Sequence, residues 1–219
     1  MTEAERWPRS VGGHIALDFV NTDIVAEADR STDVLRSAGE FLAWCAYAGL
    51  AAGEAGPNGL SHDQSRRLLA TAAVLRAAVR AVVEAVAEHR DADRDALSTL
   101  RSATADAVAR AVPVLVEGRI VWSWEPTADA PVWKLATAAT DLLRGGPTER
   151  LKICPGCGFV FLDATKNGSR RWCSMEDCGT QEKMRRYVTK RARQRTDTHA
   201  TSASASASTS TRTSDSLEP

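Results

Sequence analysis

Four cysteines inside 25 residues limit this chain more than any other feature. They follow the pattern Cys154-x2-Cys157-x15-Cys173-x4-Cys178. Two close pairs at this separation suit one zinc ion held tetrahedrally by four thiolates. In CPGCG the turn must aim two sulfurs at one point, and glycine tolerates the tight backbone. Phe159, Val160, Phe161 and Leu162 read as a short strand that backs the turn. A redox dithiol or an iron–sulfur cluster remains an alternative use of the same sulfurs. Four protein ligands leave no open position for water, so the expected zinc is structural. A nucleobase deaminase would need an upstream His-x-Glu. Here His14 precedes Ile-Ala, His62 precedes Asp-Gln, His89 precedes Arg-Asp, and His199 lies in the tail. The fifth cysteine, Cys45 in FLAWCAYAGL, reads as a buried, inert thiol.

The rest of the chain predicts a mainly α fold with a small β-hairpin. GGHIALDFVNT (Gly12–Thr22) is a short apolar segment. Ser31 or Thr32 can cap a helix running to about Ala48, and GEAGPNG (Gly53–Gly59) is a loop. From Ser61 apolar residues recur at spacings of three and four through Leu68, Leu69, Ala72, Leu75, Val79, Val82, Val83 and Val86, which predicts a helix. A second helical run covers about Asp93–Ala111 and ends at Pro113. Val114–Trp124 is β-branched and aromatic around Glu-Gly and predicts a hairpin. Helix returns over 129–144 and stops at Gly145-Gly146-Pro147, a boundary signal. Three parts are thus expected: a helical domain over 1–146, a cysteine module with a basic helix over 147–195, and a disordered Ser/Thr/Ala tail over 196–219. No signal peptide and no apolar run long enough for a membrane span are present, so the sequence predicts a soluble, cytoplasmic protein with no membrane partner.

The zero net charge hides a division. Residues 1–149 carry 15 Lys+Arg against 21 Asp+Glu, whereas 150–195 carry 12 against 4, a net of +8. Four thiolates and one zinc would leave about +6 on the module. Arg170 and Arg171 precede the third cysteine, and Lys183, Arg185, Arg186, Lys190, Arg191, Arg193 and Arg195 follow the fourth. On a helix, Lys183, Arg186, Lys190 and Arg193 share one face, with Met184 and Val188 packing inward from a flank. Such a ridge is the electrostatic footprint of phosphate-backbone binding. A solvated helix face, or one paired with the acidic body, is the plainer reading.

Residues 148–195 resemble the CGNR zinc-finger family of bacteria, through CPGCGFVFLDATKNGSRRWCSMEDCG and the EKMRRY after it. GGHIALDFVNT is similar to the opening of the ABATE domain that precedes that finger. The resemblance implies a stress-responsive transcription regulator, with a helical domain that senses a small-molecule effector and a finger that binds duplex DNA. The naming signature Cys-Gly-Asn-Arg reads here Cys178-Gly179-Thr180-Gln181. If that family arginine touches DNA, this chain lacks one contact, although Gln181 can make a bidentate contact to adenine. The residues expected at the nucleic acid are therefore Arg170, Arg171, Gln181, Lys183, Arg185, Arg186, Lys190, Arg191 and Arg193.

Asp18, Asn21 and Thr22 are polar groups in an apolar segment. They read either as lining an effector pocket or as capping and terminating a helix. Trp122, Trp124 and Trp133 read as ligand-stacking rings or as packing between the hairpin and the last helix, and Trp172 as a lid on the cysteine turn. No dinucleotide fingerprint, phosphate loop or nucleophile elbow occurs, so no enzyme is expected. An RNA-binding factor and a protein-docking zinc module stay open as other functions. Single-stranded RNA readers present stacking aromatics, and the basic helix offers only Tyr187. One finger has a small footprint, which is compatible with a homodimer.

Overall fold

The computed structural model describes Trp7 and residues 10–23, 33–50 and 59–192. The expected caps Ser31 and Thr32, the loop Gly53–Gly59 apart from its last residue, Arg193, Arg195 and the tail over 196–219 lie outside the described residues. The described chain is mainly α, as the periodicity predicts, and it carries two small antiparallel hairpins where the sequence pointed to one.

Helix α1 (Ile15–Val20) starts where the His14 ring accepts the Ala16 amide. A 3-10 turn follows at Asn21–Asp23. A second, Val34–Arg36, is capped by Asp33, and helix α2 (Ala38–Tyr47) is capped by Ser37. The single helix expected from Ser31 or Thr32 is thus broken at Ser37, whose extended backbone interrupts it. Helix α3 (His62–Ala87) opens on a capping box: the Ser61 hydroxyl accepts the Gln64 amide at 3.2 Å and the Gln64 side chain accepts the Ser61 amide at 2.8 Å. Leu68, Ala72, Leu75, Val79, Val82 and Val83 all point inward, as their spacing requires. Burying each such Leu or Val stabilises the fold by about 1.5–3 kcal/mol. Helix α4 (Arg94–Ala109) is capped by Asp93, and α5 (Ala130–Gly145) begins with Pro131 in its first turn. Between them strands β1 (Val112–Val116) and β2 (Arg119–Ser123) form a hairpin.

Helix α3 also turns two arginines inward, Arg76 buried and Arg80 half-buried, which its apolar period does not announce. Arg76 is 8% exposed and donates to Asp33 at 2.6 and 3.2 Å and to the Thr22 hydroxyl at 2.9 Å. Burial works against the Asp33 charge, but the Arg76 guanidinium holds that carboxyl below its ordinary range. Arg80 donates to the Val20 carbonyl and to Asp23 at 2.6 Å. The C-terminal end of α1 is thereby capped by a guanidinium from another helix.

Strands β3 (Leu151–Ile153) and β4 (Val160–Leu162) form the second hairpin. Leu151 and Val160 belong to the same buried cluster as Leu17, Leu75 and Leu135. The Leu162 amide donates to the Gly12 carbonyl at 2.8 Å. The expected boundary at Gly145–Pro147 does end a helix, but packing continues through it. By internal contacts the chain forms two compact units that divide after Cys173. Hydrophobic burial explains why: the β3–β4 hairpin is too short to hold a core of its own and shares that of the helices. In the second unit the described residues are a π-helical turn, Met175–Gly179, followed by helix α6 over 180–192.

Candidate metal centre

The sulfurs of Cys154, Cys157, Cys173 and Cys178 all lie within 4.8 Å of one another. Those of Cys157 and Cys173 are 3.4 Å apart. A disulfide would need about 2.05 Å. Four thiolates about 2.3 Å from one zinc stand roughly 3.8 Å from each other, so the cluster has the dimensions of a zinc cage. The donor set fits electrostatically as well. The neighbouring Cys157 thiol, burial and the charges of the other sulfurs push the Cys173 thiol far up, and only a cation among them reverses that. These four cysteines can bind one zinc ion. Cys45 plays no part: it is fully buried, and burial raises its thiol far above the ordinary range.

Local backbone explains how each sulfur is placed. Cys154 ends the β3 arm, where its amide donates to the Phe159 carbonyl at 2.8 Å and its carbonyl accepts the Gly158 amide at 2.8 Å. Gly158 has φ +77°, a conformation open to glycine and costly for other residues. Cys178 sits in the π-helical turn. The Ser174 hydroxyl caps that turn by accepting the Asp177 amide at 3.1 Å, and the Gly179 amide donates to the Ser174 carbonyl at 3.0 Å. A Cβ at Gly179 would stand 3.0 Å from the Met175 sulfur, the end of an exposed side chain that would have to give by a few tenths of an ångström. Thr180 donates back to the Met175 carbonyl at 3.0 Å.

Three residues that sequence reasoning did not single out for this role organise the loop before Cys173. Asp163 is fully buried. It accepts from Lys152 Nζ at 2.6 Å, from the Thr165 hydroxyl at 2.5 Å and from the amides of Thr165 and Arg170 at 2.9 Å each. Burial alone would raise this carboxyl, but the Lys152 ammonium, the Thr165 groups and the Arg170 amide hold it well below the usual range. Lys152 Nζ also donates to the carbonyls of Gly168 at 2.5 Å and Arg170 at 3.0 Å. Arg170 lies over the Phe161 ring at 4.6 Å and donates to the carbonyls of Trp172 at 3.0 Å, of Cys173, and of Val11 at 3.3 Å. One Asp after an apolar strand carries no local signal of this role, because its partners lie 2, 7 and 11 residues away.

The expected nucleic-acid residues fall into groups. Arg170 is half-buried and its guanidinium is occupied by carbonyls. Arg171 is exposed and stacks on Trp172 at 4.9 Å. Gln181, Lys183, Arg185, Arg186, Lys190 and Arg191 are all exposed on α6. Arg185 and Arg186 both bridge to Glu182, whose carboxyl is held below its ordinary range first by Arg186. Ion pairs on an exposed helix surface contribute little, so both arginines can turn to another anion at little cost. Met184 and Val188 do not pack inward: they are 58% and 60% exposed. Among the described residues of this unit no second element covers that flank, and α6 is exposed all round apart from Glu182.

Asp18, Asn21 and Thr22 are engaged inside the fold. Asp18 accepts the Gly12 amide at 2.8 Å, and burial pushes its carboxyl up. Asn21 bonds Val160, and Thr22 donates to the Phe19 carbonyl at 2.6 Å and accepts from Arg76. Of the tryptophans, Trp124 and Trp133 pack against the core, with Trp124 Nε1 donating to the Ala107 carbonyl at 2.8 Å. Trp122 is 41% exposed, because the hairpin that carries it does not pack on the last helix as expected.

Among the described residues no helix is long and apolar enough to cross a membrane. The model of the CGNR zinc finger matches residues 150–194. The ABATE model, whose description reads "Putative stress-induced transcription regulator", matches residues 13–146. No curated protein matches the chain.

Proposed function

Because the chain belongs to the ABATE family and carries a CGNR zinc finger behind that domain, we propose that it is a cytoplasmic, DNA-binding transcription regulator acting in a stress response. The observation that carries this reading is α6: five cations against one carboxylate, all cations exposed, directly after the fourth cysteine. Phosphates bind such a helix through Lys183, Arg186, Lys190 and their neighbours, and Gln181 and Arg171 are exposed at the surface for further contacts. The zinc is structural. It holds Cys178, and so the start of the basic helix, and four thiolates leave it no position for a reacting water. Arg170 serves the fold of the finger and not the nucleic acid.

The helical domain receives an effector. An apolar groove of about 680 Å³ between α3, α4 and α5, lined by Val82, Leu97, Leu100, Val108 and Leu143, supports this. Arg101 and Arg144 also line it, which suits an apolar molecule with an anionic end. Asp18, Asn21 and Thr22 are committed to bonds within the fold, so the groove is the better-supported seat. Duplex binding by the zinc-loaded chain, lost on chelation, tests the main reading. Equal binding with and without zinc, or preference for single-stranded RNA, would contradict it.

A further inference from the structure

Hairpin β1–β2 leaves outside what folding normally buries. Val116 and Arg119 close it around Glu117 and Gly118, whose φ values of +48° and +76° are those of a type I′ turn. Every residue of both strands is exposed. Side chains alternate between faces, so Pro113, Leu115, Ile120 and Trp122 share one face. Val112, Val114, Val116 and Val121 share the other with Arg119 and Ser123. Leu115 is 74% and Ile120 70% exposed. A two-stranded ribbon is marginal in water, and strands apolar on both faces are typical of positions inside a larger sheet.

Among the described residues neither edge of the hairpin is paired, and the two edges differ. The pair closing a two-residue hairpin turn is hydrogen-bonded, and bonded pairs alternate with open ones. Val114–Val121 and Val112–Ser123 are therefore bonded, while positions 113, 115, 120 and 122 turn their backbone groups outward. On β1 one outward position is Pro113, which has no amide and blunts that edge. On β2 the outward positions are Ile120 and Trp122, and both keep donor and acceptor.

We propose that β2 pairs antiparallel with β2 of a second copy of this chain, centred on Val121. An antiparallel edge meets itself about a two-fold axis, so one surface serves both partners. In this register Ile120 of each copy faces Trp122 of the other, giving four main-chain bonds. Arg119 faces Ser123, so no like charges oppose each other. The exposed Ile120 and Trp122 side chains of the two copies then pack beside each other across the new seam.

Sedimentation of the zinc-loaded full chain should give twice 23.5 kDa. Ile120→Pro removes an outward amide and no internal bond, and should give a monomer with unchanged zinc content and circular dichroism. Ile120→Lys should do the same without altering the backbone. Val121→Cys should cross-link into a covalent dimer under mild oxidation, where the native chain does not. A native chain that stays monomeric at every concentration, or a dimer that survives both substitutions at Ile120, would overturn the proposal. Failure of Val121→Cys to cross-link in a dimeric chain would overturn the register.

Discussion

Asn21 and Val160 stand 139 positions apart and exchange two hydrogen bonds: Asn21 Nδ2 donates to the Val160 carbonyl at 2.9 Å, and the Val160 amide donates to Asn21 Oδ1 at 2.9 Å. Both residues are buried. One amide side chain thereby completes the β4 backbone and fastens the hairpin that carries the first cysteine pair to the helical domain.

Removing that side chain strands a buried amide and a buried carbonyl. Each unsatisfied group costs about 1–3 kcal/mol. Asn21→Ala should therefore lower stability by at least about 2 kcal/mol, read from urea unfolding. Asn21→Asp keeps the acceptor but loses the donor and should also destabilise. A native-like midpoint for Asn21→Ala would show that the two bonds contribute nothing.

Asp163 and Lys152 predict a pH dependence with a definite sign. The folded Asp163 carboxyl titrates below its unfolded value, so its contribution is present above the ordinary carboxylate range, about pH 4. It is lost as pH falls through the folded value, because the unfolded chain takes up its proton first. The difference in melting temperature between the native chain and Asp163→Asn should be constant from neutral pH down to that range and shrink below it. Lys152→Met should lower the melting temperature more than Lys166→Met, since Lys166 is exposed. Equal effects of the two lysine changes would remove Lys152 from the buried network.

Chelation should strip one zinc per chain without melting the helical domain. β3 and β4 share the core of the helices, and Asn21 holds Val160 with no help from metal. Far-ultraviolet circular dichroism should keep most of its helical signal, while amide exchange should rise in residues 174–192. Cooperative loss of all helix on chelation would show that the cage supports the whole chain.

The groove between α3, α4 and α5 should bind 1-anilinonaphthalene-8-sulfonate, an apolar anion, at one site. Replacing Arg101 and Arg144 together by Glu should weaken that binding at least tenfold, and Ile120→Lys on the hairpin should leave it unchanged. Undiminished binding by the double variant would take the groove out of the account.

Much of this architecture was legible in the chain. Helix α3 showed its apolar stripe, and the four cysteines showed their cage, because both patterns are local or set by spacing. What stayed hidden depends on distant partners. Arg76 lies on an apolar face and is neutralised by Asp33, 43 positions away. Strand β3 has only three residues, too few to show a period, and forms because β4 pairs with it. The β1–β2 pattern announced strands correctly but implied burial on the last helix, since apolar alternation does not say which surface will cover it. Met184 and Val188 misled for the same reason: a spacing of four places two side chains together without supplying a neighbour.

The central claim is that the cysteine cage presents α6 to phosphates. Duplex affinity measured across a range of salt concentrations tests it most directly, with the native chain set against a variant carrying Ala at Lys183, Arg186 and Lys190. Each phosphate contact adds about −0.9 to the slope of log affinity against log salt, so the variant should bind more weakly with a slope flatter by about 2–3. The same affinity and the same slope in both proteins would contradict the claim.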